Sequence, residues 1–330
     1  MDPRPASRSS TPTSARAFPG HSGARSGESQ AATRPSACRA VARVRPPGRV
    51  PAVPPLSRTH GEVGAVSIPF CRAAALARGV GLEGAALTGH LLLYPGGFTP
   101  ERHPPPGRLP CAHPSDSGHS PVLLVHGLFD NRAVFTVLRH NLHIHGWDHV
   151  HALNYSPFSL DVPRAATLLG RHVERLRRVY GDEPVTIIGH SLGGLIARYY
   201  VQRLGGDALV PRVITLATPH HGTETARLLQ PLPIVRQLRR DSEVLAELAQ
   251  PAPGCRTCFL CFWGDLDPLI LPPHSATLHH RDLRAENVLI RNAGHLSLPI
   301  HGEVLARIRE WLRQSQDPFE TGHMTNSQIA

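Results

Sequence analysis

Between Pro121 and Arg313 short apolar runs alternate with longer segments of helical spacing. Six runs read as strands: 121–126 (PVLLVH), 148–153 (DHVHAL), 184–189 (PVTIIG), 211–217 (PRVITLA), 257–263 (TCFLCFW) and 286–290 (ENVLI). The intervening pattern predicts helices near 131–145, 163–180, 192–204 and 302–314. Runs such as VLLV and VTII lack the apolar–polar alternation of a half-exposed strand, so they predict strands buried on both faces. Repeated strand–helix–strand order then predicts an α/β fold, a mostly parallel central sheet with helices on both faces. Residues 219–255 break this rhythm. Their pieces ETARLLQ, PLPIVRQL and DSEVLAELA predict a helical lid or cap inserted above the sheet.

The flanks have a different texture. Residues 69–95 are rich in Ala and Leu and predict one helix or two short ones, interrupted by Arg78, Glu83 and His90. We expect this segment to pack on the domain as an amphipathic helix; the competing reading is a membrane-surface anchor or the remnant of an export segment. Residues 96–120 read as a Pro-rich linker, which with the helix makes a segment 69–120 ahead of the α/β domain at 121–314. Residues 1–68 are Arg/Pro-rich with few large apolar side chains and are expected to be disordered; 315–330 read as a polar tail.

Charge changes the picture only once it is located. The formal net charge is +10, but residues 1–60 hold ten arginines and two acids, eight of those units. The remainder is nearly neutral, so a basic nucleic-acid-binding face is not expected. The chain contains no lysine. It has no uncharged apolar run of about 18 residues, which excludes a clear membrane-spanning helix. Six cysteines are too sparse for a disulfide scaffold. The opening MDPRPASRSS leads into no apolar run, so no secretory signal is expected there. The expected location is cytoplasmic or membrane-associated, with export if translation starts further in.

The strongest local chemistry lies in VTIIGHSLGGLIARYY, residues 185–200. An apolar run ends in Gly189-His190-Ser191-Leu192-Gly193 and a helical pattern follows at once, the strand–turn–helix setting of a nucleophile elbow. The turn strains Ser191 so that Oγ projects at the strand's C-terminal edge, and side chains two residues either side would collide, which demands Gly189 and Gly193. The Leu192 N–H, at the helix start, faces a developing oxyanion. In VLLVHGLF (122–129), Gly127 allows a tight turn that brings the Leu128 N–H to the same oxyanion; Asp130 or Asn131 caps the next helix. His126 is expected to fix this loop. Phe129, His190 and His220 are the candidates for lining an acyl pocket.

A serine nucleophile needs a base and an orienting acid, which in this arrangement follow it in that reversed order along the chain, acid then histidine. Strand 257–263 runs into Gly264-Asp265-Leu266-Asp267-Pro268, and Asp267, a turn past the strand, is preferred to Asp265. Strand 286–290 runs into Gly294-His295, where the base belongs. Among 22 histidines, His295 is chosen by position. Cys255, Cys258 and Cys261 invite a zinc reading, but positions i and i+3 of a strand face opposite ways, and no metal is expected. The cluster His140, His143, His145, His149 and His151 lacks carboxylates at ligand spacing.

These pieces together resemble the α/β-hydrolase superfamily, in its bacterial, actinobacterial-type lipase/esterase family. The matching motifs are VHGLF, GHSLGGLIARYY, LATPHHGT (216–223), GDLDPLILP (264–272) and GHLSLPIHGEVLARI (294–308). The resemblance implies a serine carboxylic-ester hydrolase acting on lipid or acyl esters through Ser191, His295 and Asp267, without a cofactor, in some cases in peripheral contact with a lipid surface. The alternatives are an acyltransferase or thioesterase with the same triad, or a non-catalytic member that binds a partner.

Overall fold

The computed structural model describes residues 67–98, 119–156, 161–228 and 232–314. The expectations for the Arg/Pro-rich head, for most of the Pro-rich linker and for the polar tail fall outside the described residues.

Among the described residues six strands form one sheet: β1 (Val122–Val125), β2 (Val150–Leu153), β3 (Thr186–His190), β4 (Arg212–Leu216), β5 (Cys258–Gly264) and β6 (Arg284–Ile290). Their order is β2-β1-β3-β4-β5-β6, and every neighbouring pair is parallel. All six C-terminal ends therefore open onto one edge. After β1 the chain crosses to one side to form β2, then returns to the other side for β3. The chain thus reverses direction between β1 and β3, the switch point at which open α/β sheets place their ligands.

Among the described residues seven helices accompany the sheet: α1 (Ser67–Leu93), α2 (Thr136–Ile144), α3 (Val162–Val179), α4 (Leu192–Arg203), α5 (Pro233–Arg236), α6 (Glu243–Ala249) and α7 (Gly302–Arg313). Successive strand residues point to opposite faces. Leu123, Val125, Ile187, Val213 and Phe259 pack with α3 and α4, whereas Val122, Leu124, Ile188, Ile214 and Leu260 pack with α2 and α7. Both faces are covered, which is why the strands read as continuous apolar runs. Each fully buried Leu or Ile contributes roughly 1.5–3 kcal/mol. Helix α3 shows the corresponding helical pattern, burying Val162, Ala165, Ala166, Leu169, Val173 and Leu176. Asp161 caps it by accepting the Arg164 N–H at 2.8 Å.

The insertion at 219–255 is fastened to this layer. Ile234, Val235 and Leu238, with Val244, Leu245 and Leu248, join the α3/α4 core. The buried Arg198 of α4 donates to the carbonyls of His220 and Leu248, both at 3.0 Å, and to Gln202 Oε1 at 3.0 Å. Burial without a carboxylate partner lowers its pKa to about 10.

Helix α1 differs from expectation in one respect. It is a single helix and it packs on the domain, but its apolar side faces outward. Gly79 and Ala86 are buried, Glu83 and His90 make polar contacts with the domain, and Leu76, Val80, Leu87 and Leu91 are exposed. A Cβ at Gly79 would overlap the Asn292 carbonyl oxygen, so small residues set the close approach. The polar interruptions of the apolar sequence are the points of attachment.

Adjacent positions on α2 test the packing account. Leu138 is fully buried and Val137 is 42% exposed. Leu138→Ala is expected to cost about 2–5 kcal/mol in urea unfolding, and Val137→Ala about 0.5 kcal/mol; equal losses would contradict the assignment of faces.

Candidate active site

Strand β3 ends directly in Ser191, whose backbone sits at φ 53°, ψ −121°. Such a conformation costs a non-glycine residue on the order of 1–3 kcal/mol. The surroundings impose it. The Ser191 N–H donates to the Leu216 carbonyl at 2.8 Å, and the Ser191 carbonyl accepts from the Gly194 N–H at 3.1 Å and from Thr218 Oγ1 at 3.0 Å. A Cβ at Gly189 would lie 2.5 Å from Gly194 Cα, and one at Gly193 would overlap the Val125 carbonyl oxygen. The two elbow glycines therefore let β1, β3 and α4 converge. Helix α4 begins at Leu192, so its first N–H groups have no intrahelical acceptor. Ser191 is 8% exposed.

The β1 loop lies against this turn. A Cβ at Gly127 would come within 3.0 Å of Ser191 Cβ. His126 holds the loop: its Nδ1–H donates to the Gly127 carbonyl at 2.9 Å, and its ring stacks on Tyr155 at 4.4 Å. The Tyr155 hydroxyl donates to the His126 carbonyl at 2.8 Å. Burial lowers the His126 pKa and favours the neutral ring. Leu128 is half-buried against the α3/α4 core, and Phe129 is 43% exposed at φ 55°. Of the two residues read as caps, Asn131 takes that role, accepting the Ala133 N–H at 2.9 Å. Asp130 is buried instead, 3.5 Å from His190 Nδ1 and 3.2 Å from His90 Nε2. Burial opposes its charge, but the contacts with His190, His90 and the Asn131 N–H together outweigh this and its pKa is lowered.

The ends of β5 and β6 bring Asp267 and His295 together: His295 Nδ1 lies 2.8 Å from Asp267 Oδ2. The other carboxylate oxygen accepts the Leu269 and Ile270 N–H groups at 2.8 and 3.0 Å. An ionised carboxylate only accepts, so Nδ1 carries the hydrogen and Nε2 keeps a lone pair for a proton. Burial disfavours the imidazolium, but the charge and hydrogen bond of Asp267, with the charges of Glu83 and Asp130, together outweigh it and the His295 pKa is raised. Asp265 is engaged elsewhere, accepting the Asn292 N–H at 2.6 Å. His190, beside Ser191, donates through Nε2–H to the His295 carbonyl at 3.1 Å, and the two rings lie 4.8 Å apart.

The LATPHHGT stretch connects these parts. Thr218 bonds the elbow, as above. Thr223 Oγ1 donates to the Leu269 carbonyl at 2.8 Å and accepts the Leu271 N–H at 2.9 Å, tying down the acid loop. His220 sits in the core, with Nε2 3.1 Å from Thr215 Oγ1 and 3.7 Å from Cys261 Sγ. Its burial, with Arg198 nearby, pushes its pKa well below the ordinary value. Cys258 and Cys261 belong to the cores on opposite faces of the sheet. In the other histidine cluster, His149 and His151 pack on the Tyr180 ring.

Three contributors to the site carried no clear sequence signal: Asp130, His90 and Glu83. The carboxylate of Glu83 accepts the N–H groups of Leu296 and Ser297, at 2.7 and 2.9 Å, immediately after His295. The only hint was that Glu83 and His90 lie two helical turns apart in an apolar segment. Because the charge and hydrogen bond of Asp267 contribute most to favouring the imidazolium of His295, Asp267→Asn is expected to lower the pH at which the imidazole titrates, followed by its NMR ring-proton shifts; an unmoved titration would contradict the pairing.

A sequence profile of the α/β hydrolase fold matches residues 120–240. The triacylglycerol lipase of Pseudomonas fragi is 36% identical over 120 residues, 33% of this chain and 38% of that protein. That of Burkholderia plantarii is 37% identical over 119 residues, 33% of this chain and 32% of that protein. The chain thus spans little more than a third of the curated relatives it matches. Among solved structures, Bacillus licheniformis lipase BlEst2 in its mature form aligns with a TM-score of 0.52 and 17% identity, over 66% of this chain and 96% of that one. Aspergillus fumigatus lipase B aligns with a TM-score of 0.55 and 17% identity, over 66% of this chain and 61% of that one. With a parallel sheet, a strained serine at the switch point and these likenesses, the chain has the α/β-hydrolase fold and is similar over about a third of its length to bacterial triacylglycerol lipases.

Proposed function

We propose that this protein is a serine carboxylic-ester hydrolase acting on lipid or acyl esters. The observation that carries the reading is the 2.8 Å contact between His295 Nδ1 and Asp267 Oδ2, on a loop bonded to the residue before the strained Ser191. In this reading Ser191 Oγ attacks the acyl carbon while its proton passes to His295 Nε2. The N–H groups of Leu128 and Leu192 stabilise the oxyanion. The intermediate collapses as the imidazolium returns the proton to the leaving alcohol oxygen, leaving an acyl-serine. Water, deprotonated by His295, attacks the acyl carbon; the C–Oγ bond breaks and Ser191 regains its proton. Asp267 holds the tautomer and stabilises the imidazolium. No cofactor takes part.

Leu228, Leu269 and Leu271 are exposed, and the Leu269 carbonyl accepts from Thr225, so this apolar surface adjoins the acid loop. It favours an apolar acyl substrate over a small polar ester. Phe129, exposed beside Leu128, suits the acyl entrance. An acyltransferase or thioesterase would share every step up to the acyl-serine.

The base acts as neutral imidazole, and its raised pKa moves the acid limb of kcat/KM above the ordinary imidazole value of 6.5. A chain-length series of p-nitrophenyl esters is expected to show turnover that falls at least about 10³-fold in Ser191→Ala. No turnover at any chain length, or full activity in Ser191→Ala, would overturn the reading. We propose also that the outward apolar face of α1 gives peripheral contact with lipid. Changing Leu76, Val80, Leu87 and Leu91 to Ser is then expected to abolish co-flotation with phospholipid vesicles, and unchanged flotation would contradict it.

A further inference from the structure

Helix α1 lies outside the stretch matched by the family profile, yet it grips the loop that carries His295. Glu83 accepts two consecutive backbone N–H groups there, from Leu296 at 2.7 Å and Ser297 at 2.9 Å. On the other side of His295, a Cβ at Gly294 would lie 2.5 Å from Glu83 Cδ. The carboxylate therefore occupies the space that glycine leaves open, and it touches backbone both before and after the histidine. Two turns along the same face, His90 contacts Asp130, which contacts His190, whose Nε2–H holds the His295 carbonyl. One helix thus restrains the His295 loop by a direct and a relayed route.

We propose that Glu83 is a positioning residue for the general base: delivered by α1, its carboxylate fixes the turn that carries His295, so that the imidazole meets Asp267 and Ser191 together. The proposal rests on the hydrolase reading above. A carboxylate serves both N–H groups because each oxygen accepts, and charge strengthens both bonds. A glutamine at this place would offer one oxygen and turn its own NH₂ toward the second N–H.

The charge has a further effect that a purely structural contact would lack. The groups facing His295 are Asp267 from the β5 loop, Glu83 from α1, Asp130 from the β1 loop and His190 from the end of β3; His90 of α1 pairs with Asp130. Burial disfavours the imidazolium, whereas Asp267, then Glu83 and Asp130, favour it. Removing the Glu83 charge therefore lets the imidazole stay neutral to lower pH.

The test is the pH dependence of kcat/KM for a soluble p-nitrophenyl ester, on the full chain, for wild type, Glu83→Gln, Thr88→Ala and Ser191→Ala. Thr88 is on the same helix, exposed, and donates to the Gly84 carbonyl within it. Glu83→Gln is expected to lower plateau kcat about 10- to 100-fold through misplacement of the base, and to move the acid limb to lower pH. Thr88→Ala is expected to match wild type in both. An inactive Ser191→Ala alongside wild-type kcat and acid limb in Glu83→Gln would overturn the proposal and leave the hydrolase reading standing. Full activity in Ser191→Ala would overturn that reading first. Loss of activity in Glu83→Gln with an unmoved acid limb, or loss of folding by circular dichroism, would assign Glu83 to stability and overturn the positioning role.

Discussion

A buried imidazole beside a buried carboxylate is the contact around which the molecule is arranged. His295 and Asp267 are both almost wholly inaccessible, at 4% exposure each. Separately, either charge would be costly away from water. Together, with the carboxylate's second oxygen satisfied by two backbone N–H groups, they form a low-dielectric pair that holds one tautomer. Such a pair is useful only if its two loops cannot drift apart. The loops belong to β5 and β6, adjacent parallel strands, and the Leu266 N–H donates to the Ala293 carbonyl between them at 3.1 Å.

The same logic explains the glycines and threonines around the site. The strained Ser191 needs acceptors and donors on both sides, and β4 supplies them through the Leu216 carbonyl and Thr218. Thr223, five residues on, anchors the acid loop. Residues 217–223 are therefore a strut between the Ser191 turn and the Asp267 loop. The cap in turn is bonded to α4 through Arg198 and Gln202. Elbow, strut and cap form one hydrogen-bonded block, on which the β1 loop and the His295 loop close.

Much of this was legible in the sequence, for definable reasons. All six strands fall where the apolar runs put them, because a strand covered on both faces leaves a continuous signature. The elbow was legible because its glycines are demanded by close backbone approach. The choice of His295 rested on its place after the last strand, and the choice of Asp267 over Asp265 on a turn's extra reach. Other features lie beyond local pattern. Asp130 looks like a helix cap, since Asp and Asn cap equally well; only packing shows that Asn131 caps while Asp130 meets two histidines. His220, expected at a pocket, fills a polar niche between β4 and β5. Glu83 pairs with backbone more than two hundred positions away, and a backbone N–H leaves no trace in sequence. The orientation of α1 was misleading for the same reason: apolar faces are expected to turn inward, and here two polar side chains with fixed partners outweigh that tendency.

The central claim is that this framework activates a single serine. An organophosphonate fluoride reports it most directly, because phosphonylation requires an activated nucleophile and leaves a stable adduct. The account predicts one adduct per chain by intact mass, mapped to the peptide containing Ser191 and formed faster as pH rises through the titration of His295. An adduct on another residue, or none under conditions where the folded chain is intact, would contradict it.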